Sequence, residues 1–532
     1  MFPREIIKQI QRHDGIGAGN FLDVLASMPV DLTQPILSID QCISLYVKQK
    51  TSFSILDLQQ LALEVAAKYC GLGVNVGDLI GLYLEDDLSY FIHYLALNRL
   101  GAVPVCINDK LPEEIVAEFC VRTSINTLIC TEKKELVLGQ NTTAFGQVIS
   151  DKKLMMFSNH PLPPAKAFAE HDLVLLAHTS GTTGIPKAVT FSHEGFFYGV
   201  RSQLHKQRGE HVLSALPHSH SSAISVLMSS LLRGASIRLL SDKRPVKLSA
   251  TIRDYHHDLI IAFPKTYVDL CRESLEPSDF SSVNYWIATG DANHESHIRK
   301  LISLGQYCIG NELKNGSIFI DNLGSSEFGF AMFRNIHSLE KNKFNRCIGR
   351  PFEWVEAAVL SPEGKPLAPG HIGQLGVISN TVTSGYWNNA ELTDEAKLSG
   401  YWLTGDLVYF DDDGLFYHVD RTTDPIYTND GVLYSCLTEE LILNHFPEVF
   451  DCSIYASLNN EGMTLSVPHI CVELSVEAKD TQESDLLIKI NLLLEEHAIP
   501  QIQNLIYQSA HAHTGVTGKK LKRQLRKLME AA

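Results

Sequence analysis

This sequence has no run of about 18 consecutive apolar residues, the length a membrane-crossing helix needs, so none of its 532 residues is expected to span a bilayer. Cysteine occurs 11 times but never as a CxxC pair. That odd, scattered set argues against a disulfide framework or a zinc knuckle and for core thiols in a reducing compartment. Positive charge is short: 45 Lys and Arg stand against 61 Asp and Glu, a formal net charge of -16. Such a surface repels phosphate backbones, so no nucleic-acid partner is expected. The one basic run, KKLKRQLRK from Lys519 to Lys527, reads as a solvated helix face. The opening MFPREIIKQIQRHDG lacks the apolar stretch of a signal peptide, and the expected location is the cytoplasm. Internal repeats and low-complexity segments are absent as well.

What is present is a soluble globular composition, 45% hydrophobic and 20% charged, on a chain too long for one ordinary core. Two or more domains are therefore expected. Over residues 53–107, helical and strand-like segments alternate. Ser54 and Asp57 form a helix cap, and Leu58, Leu61, Ala62, Val65 and Ala66 keep helical spacing. Gly71 and Gly73 are read as the end of that helix, and Leu79 to Leu84 as a strand. A second helix, Tyr90 to Leu100, stops at Gly101 before the strand-like Val103 to Ile107. Helices alternating with continuous apolar strands predict α/β layers around a parallel sheet. From Pro351 to Phe410 strands and turns dominate, and Asp411 to Gly414 turns between two strand-like pieces. The last stretch, roughly 110 residues, reads as a small α+β unit.

The segment from His178 to Val189 is HTSGTTGIPKAV. Thr179, Ser180, Thr182 and Thr183 supply hydroxyls, Gly181 and Gly184 allow close backbone approach, and Lys187 supplies charge. Those residue types together suit a phosphate. The loop is not a Walker motif, because Lys187 follows Gly184 by three and no Ser or Thr follows it. Pro186 and the strand-like Val189 to Phe191 also argue against a helix starting there.

TSGTTG followed by PK resembles the signature loop of the adenylate-forming superfamily, which comprises acyl- and aryl-CoA synthetases, stand-alone adenylation enzymes and luciferases. Ala188 departs from the usual glycine. Further similar segments follow in family order: YLALNRLGAVPVCIN (94–108), Ser192-His193, LPHSHSSA (216–223), ATGDA (288–292), DNLGSSE (321–327), SGYWNN (384–389), YWLTGDL (401–407), VDRTTD (419–424) and TGKKLKR (517–523). The resemblance covers essentially the whole chain. It implies an acyl-CoA synthetase-like fold: an α/β N-terminal AMP-binding domain with mixed and parallel sheets (1–422), then a small mobile α+β domain (423–532) with its hinge near Thr423.

The implied chemistry is attack of a carboxylate on the α-phosphorus of ATP, two anions that need positive charge between them. By resemblance, Lys519 is the catalytic ammonium and Glu327 helps hold Mg²⁺. Asp406 takes the ribose hydroxyls, and Arg421 contacts ribose and phosphates. The loop residues from Thr179 to Lys187, with Gly290, Asp291, Ala292, Asn322, Leu323 and Ser326, are assigned to ATP and AMP. His220, Ser221, Gly324 and Ser325 are assigned to the acid pocket. Asp291 replaces a family glycine, and Leu323 stands where an aromatic residue commonly covers adenine.

Relatives acting on α-amino acids carry an aspartate at the position of Ser221, so a free amino acid is disfavoured and an aryl, fatty or other apolar acid is expected. His218 with His220 is a weaker reading as a metal pair, and His256 and His257 show no ligand spacing. Thioester formation on coenzyme A, or on the phosphopantetheine of a separate acyl or peptidyl carrier protein, is the implied second step. Thr423 replaces the usual hinge Asp or Lys, and TNDGVLYSC (428–436) matches the thiol-lining loop poorly. A homologue that binds adenylate without turnover, and a luciferase-like oxygenase, are the other readings.

Overall fold

A computed structural model describes residues 1–43, 50–139, 146–179, 184–206, 208–309, 312–458, 466–478, 481–508 and positions 515, 520 and 522. The predicted Ser54 cap is a full capping box. Ser54 N–H donates to Asp57 Oδ2 at 2.8 Å, and Asp57 N–H returns a bond to Ser54 Oγ at 3.1 Å. It starts the helix Ile55–Leu72, which runs through Gly71, contrary to the expected end there. A side chain at Gly71 would meet the Ser158 carbonyl at 2.6 Å, so that glycine serves close approach within the helix. Gly73, at φ 87°, is the true stop.

Alternating helices and strands build two sheets, as the fold class predicted. One has six strands, with Thr127–Cys130, Leu79–Tyr83, Val103–Cys106 and Leu173–His178 parallel and Ala188–Ser192 antiparallel at its edge. The other has 14 described strands. Its parallel part places His211–Ser214, Leu259–Ala262, Tyr285–Thr289 and Ile318–Leu323 side by side. Antiparallel strands then extend it through Phe333–His337 and Cys347–Pro351 to the hairpin Phe416–Arg421 and Tyr401–Phe410.

A continuous core joins Leu82 and Val189 of the smaller sheet to Ile237 and Phe333 of the larger through the helices Ile55–Leu72, Ser89–Leu100 and Ser221–Arg233. A second core, around Trp286 and Tyr267, seats three helices on the opposite face of the larger sheet. Helices on both faces explain the near-continuous apolar runs of the central strands.

From Ile426 onward the chain has its own core, including Ile442, Ile454, Ile470 and Ile490. It surrounds Val449–Leu458, Ser466–Leu474 and Asn504–Tyr507, with helices Ser435–His445 and Glu483–Glu496. This unit meets the larger body through His294 Nδ1 and Glu440 Oε2 at 2.8 Å, and through a two-pronged pair from Arg272 to Glu473 at 2.6 and 2.9 Å. No described helix is long and apolar enough to cross a membrane.

The join between the two parts of the larger sheet is tight at Gly349. Its φ is 80°, and a Cβ there would lie 2.1 Å from the Arg334 carbonyl oxygen. Gly349→Ala is therefore expected to lower stability by at least about 1 kcal/mol, read as a lower urea midpoint. An unchanged midpoint refutes the close approach.

Candidate active site

The C-terminal ends of parallel strands in an open α/β sheet are where ligands bind. Here Phe263, Gly290 and Gly324 follow directly on the strands Leu259–Ala262, Tyr285–Thr289 and Ile318–Leu323. Two cavities meet at this edge. A larger one of about 850 Å³ is walled by apolar residues including Val226, Ile261, Phe263, Ile287 and Ile320, and also carries His220, Ser221, Ser325 and Ser326. A second of about 530 Å³ carries Asp291, Ala292, Leu323, Asp406, Arg421 and Thr423. Gly290, Asn322 and Gly324 line both. At this shared edge Asn322 Oδ1 is buried with no hydrogen-bond donor among the described residues.

The floor of the second cavity is the hairpin Tyr401–Phe410 and Phe416–Arg421, whose register sets Asp406 opposite Arg421. Arg421 Nη1 donates to Asp406 Oδ1 at 2.6 Å, and His418 Nε2 to the same oxygen at 3.2 Å. Burial alone would raise the Asp406 pKa. The Arg421 charge and the His418 hydrogen bond outweigh it and hold the carboxyl far below its ordinary range. Asp406 raises Arg421 in turn. Nearby, burial pushes Asp321 up to about 7 despite a 2.7 Å bond from Asn293 Nδ2.

The segment 179–187 is the connection of an antiparallel hairpin, as the strand-like flanks implied. Its base is tied reciprocally: Thr179 N–H donates to the Lys187 carbonyl at 3.0 Å, and Lys187 N–H to Thr179 Oγ1 at 3.1 Å. Gly184 is described; Ser180, Gly181, Thr182 and Thr183 lie outside the described residues. Segment 383–387 runs along the outgoing strand, with Trp387 N–H on the Ala188 carbonyl at 2.8 Å. This places Tyr386 between Lys187, whose ammonium sits 4.7 Å from the ring centroid, and Glu327, whose Oε1 accepts the phenol at 2.9 Å. Ser325 Oγ donates to Glu327 Oε2 at 2.7 Å. Burial, and then Glu327, raise the Tyr386 pKa, so the phenol keeps its proton as a donor.

His220 caps the helix Ser221–Arg233: its Nδ1 accepts from Ser222 N–H at 3.2 Å, and its ring meets Phe263 edge-on at 5.0 Å. His218 is tied elsewhere, through Nδ1 to Asp86 at 2.9 Å. No group of three or more metal-ligating side chains occurs among the described residues. The Asp86 carboxylate also pairs with Lys243.

The structure thus gathers Gly290, Asp291, Ala292, Asn322, Leu323, Asp406, Arg421 and Thr423 on one cavity, and His220, Ser221, Gly324, Ser325 and Ser326 on the other. Ser326, assigned from sequence to the nucleotide, lines the larger cavity. Lys519 lies outside the described residues. Its neighbours Lys520 and Lys522 line the second cavity and pair with Asp451 at 2.7 Å and Glu439 at 2.9 Å. Sequence reasoning missed them, together with His418 and Tyr386. Tyr386 sits inside the quoted SGYWNN, and His418 lies three residues before Arg421 on the strand paired with Asp406, so both signals were at hand.

The profile of the AMP-binding enzyme family matches residues 41–387. The chain belongs to that family. The enzyme is 33% identical to 3-aminoavenalumate diazotase from a Streptomyces species, over 96% of this chain and 95% of that protein. It is 24% identical to feruloyl-CoA synthase from an Amycolatopsis species, over 76% of this chain and 80% of that one. Its fold superposes on the anthranilate CoA ligase AuaEII in complex with anthranoyl-AMP, with a TM-score of 0.82, 18% identity, and 97% and 98% of the two chains covered. The fold is therefore that of the adenylate-forming ligases.

A carboxylate whose folded pKa is depressed stabilises the protein fully above its unfolded value of about 3.9. That contribution drains as pH falls from there towards and through the folded value. Urea unfolding of the enzyme is accordingly expected to weaken below about pH 4, with Asp406→Asn less stable at neutral pH and flatter on the acid side. Parallel curves for the two proteins would contradict the Asp406 environment described.

Proposed function

We propose that this enzyme is an ATP-dependent diazotase. It activates nitrite as its adenylate and delivers the nitrosyl group to the amino group of an amino-substituted aryl carboxylate. The observation that carries this is the kinship with a diazotase along nearly the full length of both chains. In the first step a nitrite oxygen attacks the α-phosphorus and pyrophosphate leaves. In the second the aryl amine nitrogen attacks the nitrosyl nitrogen, the N–O bond to AMP breaks, and AMP departs. Proton uptake and loss of water from the resulting N-nitrosamine leave the diazonium.

The residues fit the nucleotide and its metal. Asp406 is held ionised and suits the ribose hydroxyls, and Arg421 beside it suits ribose and phosphate oxygens. The loop from Thr179 to Lys187 takes the phosphates. Glu327, oriented by Tyr386 and Ser325, would hold Mg²⁺; the ion would supply charge neutralisation. Lys519, carried by a C-terminal domain hinged near Thr423, supplies positive charge between the two reacting anions. The departures at Thr423 and in TNDGVLYSC weigh against transfer to a thiol.

A second reading is the acid–thiol ligase, in which an aryl, fatty or other apolar acid, not a free α-amino acid, is adenylated. The acyl group then passes to coenzyme A or to a carrier protein's phosphopantetheine. The mostly apolar larger cavity, which meets the second cavity at Gly290, Asn322 and Gly324, favours it. A homologue that binds adenylate without turnover is opposed by the retained Glu327, Asp406, Arg421 and Lys519.

Nitrite-dependent pyrophosphate exchange, with azo-dye trapping when an aminoaryl acid is added, separates these readings. The expected result is exchange with nitrite and dye formation. Exchange with aryl acids alone supports the thiol ligase and overturns the diazotase. No exchange with either supports the non-turnover homologue. Lys519→Ala is expected to slow exchange by about 10²–10³; an unchanged rate removes Lys519 from the mechanism.

A further inference from the structure

The larger cavity runs the length of the strands that wall it. Alternate residues of a strand face the same side of a sheet, and the register of four strands sorts those facing the cavity into three levels. Thr289 and Asn322 are paired at the inner level, next to Gly290 and Gly324, where the second cavity begins. Ile261, Ile287 and Ile320 form the middle. Val212, Leu259, Tyr285 and Ile318 form the outer level. From Thr289 back to Tyr285 is about 13 Å of strand.

The facing wall is the helix Ser221–Arg233, about 18 Å long. It starts at the inner level, where its His220 cap meets Phe263. It ends at the outer level: Arg233 donates to the Gly209 carbonyl at 2.7 Å, and a Cβ on Gly209 would lie 2.7 Å from the Leu259 Cβ. Between those ends the helix offers the cavity Ser222, Ser225, Val226, Ser229 and Ser230, small side chains that leave a continuous slot. The outer end is polar and reaches the surface. Asn284, Tyr285, Cys308 and Arg208 line it, and Cys308 and Arg208 are exposed. Burial raises the Tyr285 phenol, while the Arg208 charge beside it acts the other way. No carboxylate lies within ion-pair distance of Arg208 among the described residues.

This layout decides where a substrate anion can sit. At the middle level a carboxylate would give up water for three isoleucines on one side and neutral serine hydroxyls on the other, which is costly. At the outer level it keeps its water and gains the Arg208 charge.

We propose that the cavity takes an elongated substrate end on: an aminoarene whose carboxyl group is carried on a chain of several carbons rather than on the ring. The place of the amine rests on the diazotase reading. The ring amine lies at the inner level beside Gly290 and Gly324, the chain passes the isoleucines, and the carboxylate emerges beside Tyr285 and Arg208. Length is then what the enzyme selects, because a carboxyl group fixed to the ring stops short of the outer end.

The test measures calorimetric binding of an aminobenzoate, an aminophenylpropanoate and an aminophenylpentanoate to the full-length enzyme with AMP. Nitrite-dependent pyrophosphate exchange, which needs no arene, is measured separately. Affinity should rise about threefold for each methylene buried, so the pentanoate should bind on the order of 10²-fold more tightly than the benzoate. Ser229→Leu and Ile318→Phe narrow the outer end from opposite walls, and each should abolish most of that advantage. Arg208→Gln should weaken the pentanoate several-fold, with the difference shrinking at high salt. Equal affinities across the series in wild type, or the wild-type order retained in both narrowed variants, overturn the proposal. Loss of the order in either variant with exchange intact supports it. Absence of nitrite-dependent exchange in wild type instead refutes the diazotase reading, whatever the order of affinities, and the end-on orientation with it.

Discussion

The buried pair of Asp406 and Arg421 constrains the architecture around the second cavity. A carboxylate 4% exposed is stable as an anion only with compensating charge, and the compensation comes from the facing strand of one hairpin. His418 shares the same oxygen, so the hairpin register and the charge state of Asp406 depend on each other. A slip of one residue would turn Asp406 away from its partners and into the apolar core. The hairpin is also the last element before the small C-terminal core begins at Ile426. The second cavity therefore takes its floor from a rigid ladder, and lysines from the far end of the chain reach its wall.

A second chain of contacts joins the loop proposed for phosphate to the acidic residue proposed for magnesium. The connection runs from Lys187 through the face of Tyr386 to Glu327, with Ser325 holding the other carboxylate oxygen. Aromatic ring, phenol and carboxylate each have a defined partner, so the group proposed to face the phosphates is already oriented. Preorganised charge of this kind is usually the largest single contribution an enzyme makes when charge develops in a transition state.

Much of this was readable in the amino-acid order. The Ser54 cap, the hairpin flanks of the loop and the DDDG turn were legible because each rests on local backbone chemistry. The family segments brought Asp406 and Arg421 into consideration without showing that they face each other, since pairing across a hairpin depends on register. Gly71 was misread because a glycine required by the distant Ser158 carbonyl looks, in sequence, like one that ends a helix. The larger cavity was invisible for a related reason: its walls are assembled from six strands and two helices far apart in the chain.

The two chambers share three residues, Gly290, Asn322 and Gly324, two of which have no side chain to offer. Such a sparse boundary separates inheritance as well as space. Changes to the walls around Ile261 and Ile287 therefore leave the Asp406 and Arg421 side almost untouched. On the proposed function, such a scaffold can drift between acceptors as different as an amine and a thiol while the phosphorus chemistry proposed for the other chamber stays the same.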